Sequence, residues 1–252
     1  MNERDPRNAD VRSRLLDATR SHANERPLRR ELYQAKRTDS NLIPEPLILA
    51  SGSPRRVALL GELGVPFQTF VSGAPETIDP GLSPEAQSVA LAEHKARAVA
   101  SRLQDGIVLG ADTIVVLGGE ILGKPVDDAD ARRMLRRLSG EEHRVVTGIA
   151  LFDAGTGSLQ RSAVSSVVRF RALGEEEIER YVTTGEPRGK AGAYAIQELG
   201  AGLVSTLEGC FTNVVGLSLC ETARLLTAEG MTVSPAWPGC RLPDGAPCPR
   251  TV

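Results

Sequence analysis

Several features that would place a chain in a large functional class are missing from this one. No apolar run approaches the roughly 18 residues of a membrane span, and the charged N-terminus lacks the apolar core of a signal peptide. There is no excess of one charge: 30 Lys/Arg stand against 32 Asp/Glu in 252 residues, a net charge of -2. That balance offers nucleic acid or an anionic membrane no broad electrostatic surface, so neither is an expected partner. The three histidines (His22, His94, His143) are too scattered for a His-based metal cluster or triad. Four cysteines (Cys210, Cys220, Cys240, Cys248) make no disulfide scaffold in a chain this long, and no two form a CxxC pair for zinc. A reducing, cytoplasmic setting is the expectation. No internal repeat of fixed period occurs.

What is present divides into three parts. Residues 1–46 carry ten Lys/Arg and eight Asp/Glu without sustained apolar alternation, which predicts a flexible arm with at most a short helix around Val11–Thr19. Residues 231–252 hold five prolines, which remove backbone donors and fix φ, so an irregular tail is expected. Between them, residues 47–230 are numerous enough to bury a sizeable core.

Within that body, helix and strand signals interleave. Leu47–Ala50 is a short apolar run. Ser53 as N-cap and Pro54 at the first helical position then open a helix to about Leu63. Phe67–Val71 reads as a strand and Ser83-Pro84-Glu85 starts a helix to about Leu103. Strand segments follow at Ile107–Leu109 and Ile114–Leu117, with Gly118-Gly119 turning to Ile121-Leu122. Asp130–Leu138 is helical, Val145–Phe152 and Ser162–Phe170 are strands, and Glu175–Thr183 and Leu217–Ala228 are helices. This alternation, with hairpins in it, predicts an α/β fold on a mixed sheet.

Four stretches could carry chemistry. In Ser51-Gly-Ser-Pro-Arg-Arg56 a strand gives way to a helix with two arginines in its first turn. Cations there oppose the helix dipole, so the stretch is either an anion site or a helix start with solvated arginines. Asp112, in Gly110-Ala-Asp-Thr113, sits between two apolar strand segments. It is either paired structurally or functional as a metal ligand or general base. Glu76 and Asp79 are further candidate carboxylates, although loop acids are usually solvated. Gly185–Gln197 packs small residues around Lys190, Tyr194 and Gln197. Its glycines permit close backbone approach and Gln can read a base edge, or the loop serves a core-filling Tyr194. Gly118–Pro125 fits G-x-x-x-x-G-K but has Pro where a P-loop needs Ser/Thr, and the segment reads as a hairpin. Lys124 within it is a phosphate-binding point charge or an ordinary surface lysine.

Taken in order, SGSPRR (51–56), HKARA (94–98), GADTIV (110–115), GKP (123–125), TGEP (184–187), KAGAYAIQ (190–197) and NVVGL (213–217) resemble the Maf family of nucleoside triphosphate pyrophosphatases over about residues 47–229. The resemblance implies an elongated α/β fold like that of inosine triphosphatases, with a cleft between two lobes. It implies a cytoplasmic enzyme, commonly a homodimer. Such an enzyme uses a divalent cation (Mg²⁺ or Mn²⁺) to convert a nucleoside triphosphate to the monophosphate and pyrophosphate. Position by position, it makes Asp112 the proton acceptor, with Glu76 a candidate helper in binding metal or water. It lines the triphosphate channel with Ser51, Arg55, Arg56, Lys95, Lys124 and Lys190. Substrate selection falls on Arg55, Thr113 and Gln197, which match the branch acting on dTTP and UTP. The 7-methyl-GTP branch has Trp, Gln and Glu at those positions. Three departures stand out: Gly189 replaces a frequent Asp, Glu198 a usual Gly, and Cys210-Phe211 a usual Ser-Tyr. The rival readings are a pyrophosphatase for 7-methyl-GTP or another modified nucleotide, and a non-catalytic nucleotide-sensing module in cell division.

Overall fold

The computed structural model describes residues 47–242 and 245–249. The arm, with its expected helix at Val11–Thr19, lies outside them. A seven-stranded mixed sheet organises the chain. β1 (Leu47–Leu49) pairs in parallel with β2 (Phe67–Thr69) on one side and with β3 (Ile107–Leu117) on the other. β5 (Glu142–Asp153), β6 (Leu159–Phe170) and β7 (Val204–Glu208) continue from β3 as an antiparallel run, and β4 (Glu120–Leu122) pairs with the far end of β3.

Side chains alternate across this sheet and serve two cores. Leu47, Leu49, Leu109 and Ala111 join the larger apolar cluster, while Ile48, Ala50 and Val108 join a smaller one. The larger cluster takes in residues of α1 (Pro54–Glu62), α3 (Asp128–Leu138), α4 (Glu175–Thr183) and α6 (Leu219–Ala228). The smaller face belongs to α2 (Pro84–Ala100), capped by the Ser83 hydroxyl, which accepts from the Ala86 amide. α2 lies close on the sheet because two strand positions lack a Cβ. A Cβ on Gly110 would sit 2.1 Å from the Ala92 carbonyl oxygen, and one on Gly148 would sit 2.2 Å from the Ser88 backbone.

One local expectation is corrected, and two features appear that the residues did not show. The two segments flanking Asp112 are one strand of 11 residues, since the ladder to β5 runs unbroken from Ile107↔Asp153 to Val116↔Arg144. Asp112 is tolerated there because its carboxylate is met by a lysine from α2. β7 and the short helix α5 (Phe211–Val215) went unread, both being too short to show a period. The absence of any CxxC pair also misled: the sulfurs of Cys210, Cys220, Cys240 and Cys248 all lie within 4.8 Å of one another. They come from three places in the chain, the residue before α5, the first turn of α6 and a C-terminal hairpin, which linear spacing does not reveal.

His143 is buried on β5, edge-on to Phe170 and Tyr194, with its Nε2 2.8 Å from the Tyr194 hydroxyl. Burial draws its pKa down from 6.5 to about 4. The folded state therefore keeps the ring neutral while the unfolded chain protonates it. The associated stability is fully present above 6.5 and is lost as pH falls through about 4. Over that whole window it amounts to about 3 kcal/mol, at roughly 1.4 kcal/mol per unit. His143→Gln, which keeps a partner for Tyr194, should flatten the decline of the thermal midpoint between pH 6.5 and 4. An unchanged slope would mean that other groups govern it.

Candidate active site

The site forms where β3 lacks a neighbouring strand on one edge. β1 ends opposite Leu109 and the antiparallel β4 ends opposite Val115, so the stretch between them is paired only with β5 on its other side. A cavity of about 310 Å³ opens here, with Asp112, Arg55, Arg56, Glu76, Lys124 and Lys190 in its walls. Crevices beyond the carboxyl ends of parallel strands are the usual ligand sites of α/β sheets, and β1 delivers the chain into this one.

Immediately after β1, Ser51 and Ser53 lead into α1. Ser53 stands in the N-cap position without a side-chain cap bond, and the first turn of α1 contains no acidic residue. The helix start therefore offers its dipole and its uncapped end to an anion. The two arginines of that turn are half-buried and bonded to the body. Arg56 donates from Nε to the Gly216 carbonyl (2.8 Å), from Nη2 to the Thr113 hydroxyl (3.0 Å) and from Nη1 to Ser51 (3.4 Å). Arg55 donates from Nε to the Val215 carbonyl at 3.3 Å. Burial lowers the pKa of both.

Behind Arg56, polar groups continue into the core. Thr147, opposite Thr113 on β5, donates to the Asn213 carbonyl at 3.0 Å, and the two threonine hydroxyls are 2.9 Å apart. The Thr147 proton is committed to that carbonyl, so Thr113 is the donor between the two hydroxyls. Thr147 and the carbonyls of Val215 and Gly216 were not among the expected site residues. A Thr within the apolar run Val145–Phe152 was the available signal for Thr147. The carbonyls had none.

The charged half of the site alternates in sign. Lys95, buried on α2, reaches Asp112 Oδ1 at 2.5 Å and Glu76 Oε1 at 2.7 Å, and Lys124 bonds the other oxygen of Glu76. Among the described residues Lys95 is the one hydrogen-bond partner of the Asp112 side chain, and the carboxylate faces the cavity. Burial raises the pKa of Glu76, but hydrogen bonds from Lys124 and Lys95 overcome this and bring it from 4.5 down to about 2. The Glu76 ion pairs thus add stability above 4.5 that is lost as pH falls through about 2, a window below that of His143.

The other expected residues are placed unequally. Lys190 lines the cavity and donates to the Glu186 carbonyl, and burial followed by Arg55 lowers its pKa. Gly189 is also in the wall, at φ 69°. Ser51 reaches the site through Arg56. Gln197 is half-buried and is not in the wall, although its neighbour Glu198 acts electrostatically on Arg55. Asp79 turns away, its carboxylate accepting from the Gly81 amide. Tyr194 is buried in the core and also touches the cavity.

Two hard carboxylates bonded to one ammonium are close enough to share a cation, and oxygen donors are the set that Mg²⁺ or Mn²⁺ prefers. With only two protein ligands, phosphate oxygens and water would complete such a shell, as is usual for Mg²⁺. The residues fit a catalytic divalent ion.

Comparison with known proteins agrees with this geometry. The family described as "Maf-like protein" matches residues 46–229. A dTTP/UTP pyrophosphatase of Pelotomaculum thermopropionicum is 49% identical over 187 residues, which is 74% of this chain and 98% of that protein. Proteins of the same name from Geobacter metallireducens and Moorella thermoacetica are each 50% identical, over 73% and 74% of this chain and 96% of their own lengths. Among the described residues no helix is long and apolar enough to cross a membrane.

Proposed function

Because the chain belongs to the Maf family, we infer that it is a nucleoside triphosphate pyrophosphatase acting on dTTP and UTP. The observation that carries the reading is the alternating group Lys124–Glu76–Lys95–Asp112, of which Lys124, Glu76 and Asp112 line a cavity beside the uncapped start of α1.

A triphosphate enters with its charge toward the helix start and the lysines. Lys95 and Lys124, each bonded to a carboxylate here, turn to phosphate oxygens, with Arg55 and Lys190 along the same wall. Arg56, held by three acceptors, acts as a fixed positive charge. A divalent cation held by Glu76 and Asp112 would offset negative charge on the phosphates. Asp112 takes the proton of a water attacking the α-phosphorus. The bond from that phosphorus to the bridging oxygen breaks, and pyrophosphate leaves. Positioning and fixed charge supply most of the rate, since phosphoryl transfer leaves a protein little covalent work. Arg55 and Thr113 are the proposed base-selecting positions, with Gln197 reaching the base from just outside the cavity.

The reading is tested by measuring pyrophosphate against orthophosphate release from dTTP, UTP, CTP, 7-methyl-GTP and ITP, with Mg²⁺ or Mn²⁺ and then with chelator. Metal-dependent pyrophosphate from dTTP and UTP is expected. Orthophosphate would mean cleavage at another bond, and binding without release would favour the sensing module. Arg55→Ala should raise KM about tenfold and narrow the preference for dTTP over CTP. Unchanged kinetics would remove Arg55 from the site. Gly189→Asp should lower the cation concentration that gives half-maximal rate. Space allows it, since nothing lies within 4 Å of a Cβ there, and Asp tolerates left-handed backbone better than most residues.

A further inference from the structure

The described part of the tail holds no helix and no strand of the main sheet, yet it is folded onto the body. The Leu63 carbonyl accepts from the Ser234 amide, and Val233, Trp237 and Leu242 pack on the main core. Beyond them the chain makes a small hairpin. Arg241 and Pro247 form an antiparallel bridge, and the Cys248 amide donates to the Cys240 carbonyl at 2.9 Å. Cys240 and Cys248 are therefore neighbours across two short arms. The hairpin sets both against Cys210, the residue before α5, and Cys220, in the first turn of α6.

Four sulfurs mutually within 4.8 Å are a dense arrangement for thiols, and none is in a disulfide. A tetrahedral tetrathiolate with metal–sulfur bonds of about 2.3 Å requires sulfur–sulfur separations of about 3.8 Å. Cys210 and Cys240 are 3.7 Å apart. Three of the four cysteines are buried and Cys220 is half-buried, so the centre is closed to solvent on most sides, as in structural zinc sites. Polar groups that would support thiolates are in place. Thr212 Oγ1 accepts from the Leu219 amide, and its hydroxyl lies 3.2 Å from Cys210 Sγ and 3.4 Å from Cys240 Sγ. Its own proton is thus available to the sulfurs, and the Ser218 hydroxyl is 3.6 Å from Cys210 Sγ. All-sulfur donors select a soft or borderline metal and reject Mg²⁺.

We propose that Cys210, Cys220, Cys240 and Cys248 bind one structural Zn²⁺, which fastens the C-terminal hairpin to the loop behind the nucleotide cavity. The site is independent of the proposed reaction. Two of its ligands lie beyond residue 229, where the match to the family ends. It also accounts for one departure from the family pattern, since Cys210 in place of Ser becomes useful only when the tail brings two more thiols. Its mechanical role follows from its neighbours. Cys210 leads into the segment whose Asn213, Val215 and Gly216 carbonyls hold Thr147, Arg55 and Arg56.

The test is metal analysis of the full chain, purified with a thiol reductant and dialysed against EDTA to strip weakly held ions. One zinc per chain is expected, released in step with mercurial modification of four thiols. Refolding with Co²⁺ should give the intense visible bands of a tetrahedral thiolate complex. Cys248→Ser should lose the zinc and lower the thermal midpoint by roughly 10 °C, whereas Glu76→Gln should keep it. If Cys248→Ser does not fold, the Co²⁺ spectrum of the unaltered chain still decides. Four titratable thiols without metal, two disulfides in the reduced preparation, or iron in place of zinc would each overturn the proposal.

Discussion

Replacing Asp112 by Asn should lower kcat for dTTP about 10³-fold while KM changes by no more than a few-fold. The carboxylate is 6% exposed, bonds only Lys95 among the described residues and faces the cavity. Asn is isosteric and can still accept from Lys95, so the fold and the charged cavity wall are retained while the proposed proton acceptor is lost. Lys95 also keeps Glu76 at 2.7 Å, which avoids the cost of a buried charge without a partner. Steady-state kinetics combined with equilibrium nucleotide binding separate the outcomes. A parallel loss of affinity would assign Asp112 to holding the cation or the structure. Activity near that of the unaltered chain would exclude it as the base.

The second large effect concerns stability, at the position directly opposite Asp112 on β5. Gly148→Ala should lower the thermal midpoint by about 10 °C, and Gly148→Val should leave little folded protein. The added Cβ would meet the Ser88 backbone at 2.2 Å, where no rotamer change can relieve it. Relief requires α2 to move off β5, and α2 carries Lys95. The surviving Gly148→Ala chain should therefore lose activity beyond what its unfolded fraction explains, because the contact of Lys95 with Asp112 loosens. Gly61→Ala is the control. Gly61 lies inside α1 with nothing within 4 Å of a Cβ, and a gain of about 0.5–1 kcal/mol is expected from the stiffer unfolded chain. Calorimetry of the two variants side by side would settle the matter, and equal midpoints would mean that the α2–sheet contact is soft.

Much of this was legible from residues alone. Ser53-Pro54 and Ser83-Pro84 marked two helix starts, and Glu175–Thr183 matched to the residue, because capping and apolar periodicity are local properties. The family and the charged residues that line the cavity could be read as well, since they come in short, linked motifs. The sequence left open whether Asp112 was paired or functional. The fold pairs it and turns it to the cavity, by setting Lys95 against it through two glycines 38 positions apart. Thr147 and the Val215 and Gly216 carbonyls went unforeseen, because their partners are distant in the chain and a carbonyl has no signature in a sequence.

The cysteines show the division most clearly. Their spacing determined only that no two could form a local metal knuckle. That all four meet was decided by a hairpin, a helix start and a loop converging beside Val164 of β6. Chemistry held within a few consecutive residues is written in the sequence. Chemistry assembled by strand register and close backbone approach exists only once the chain has folded.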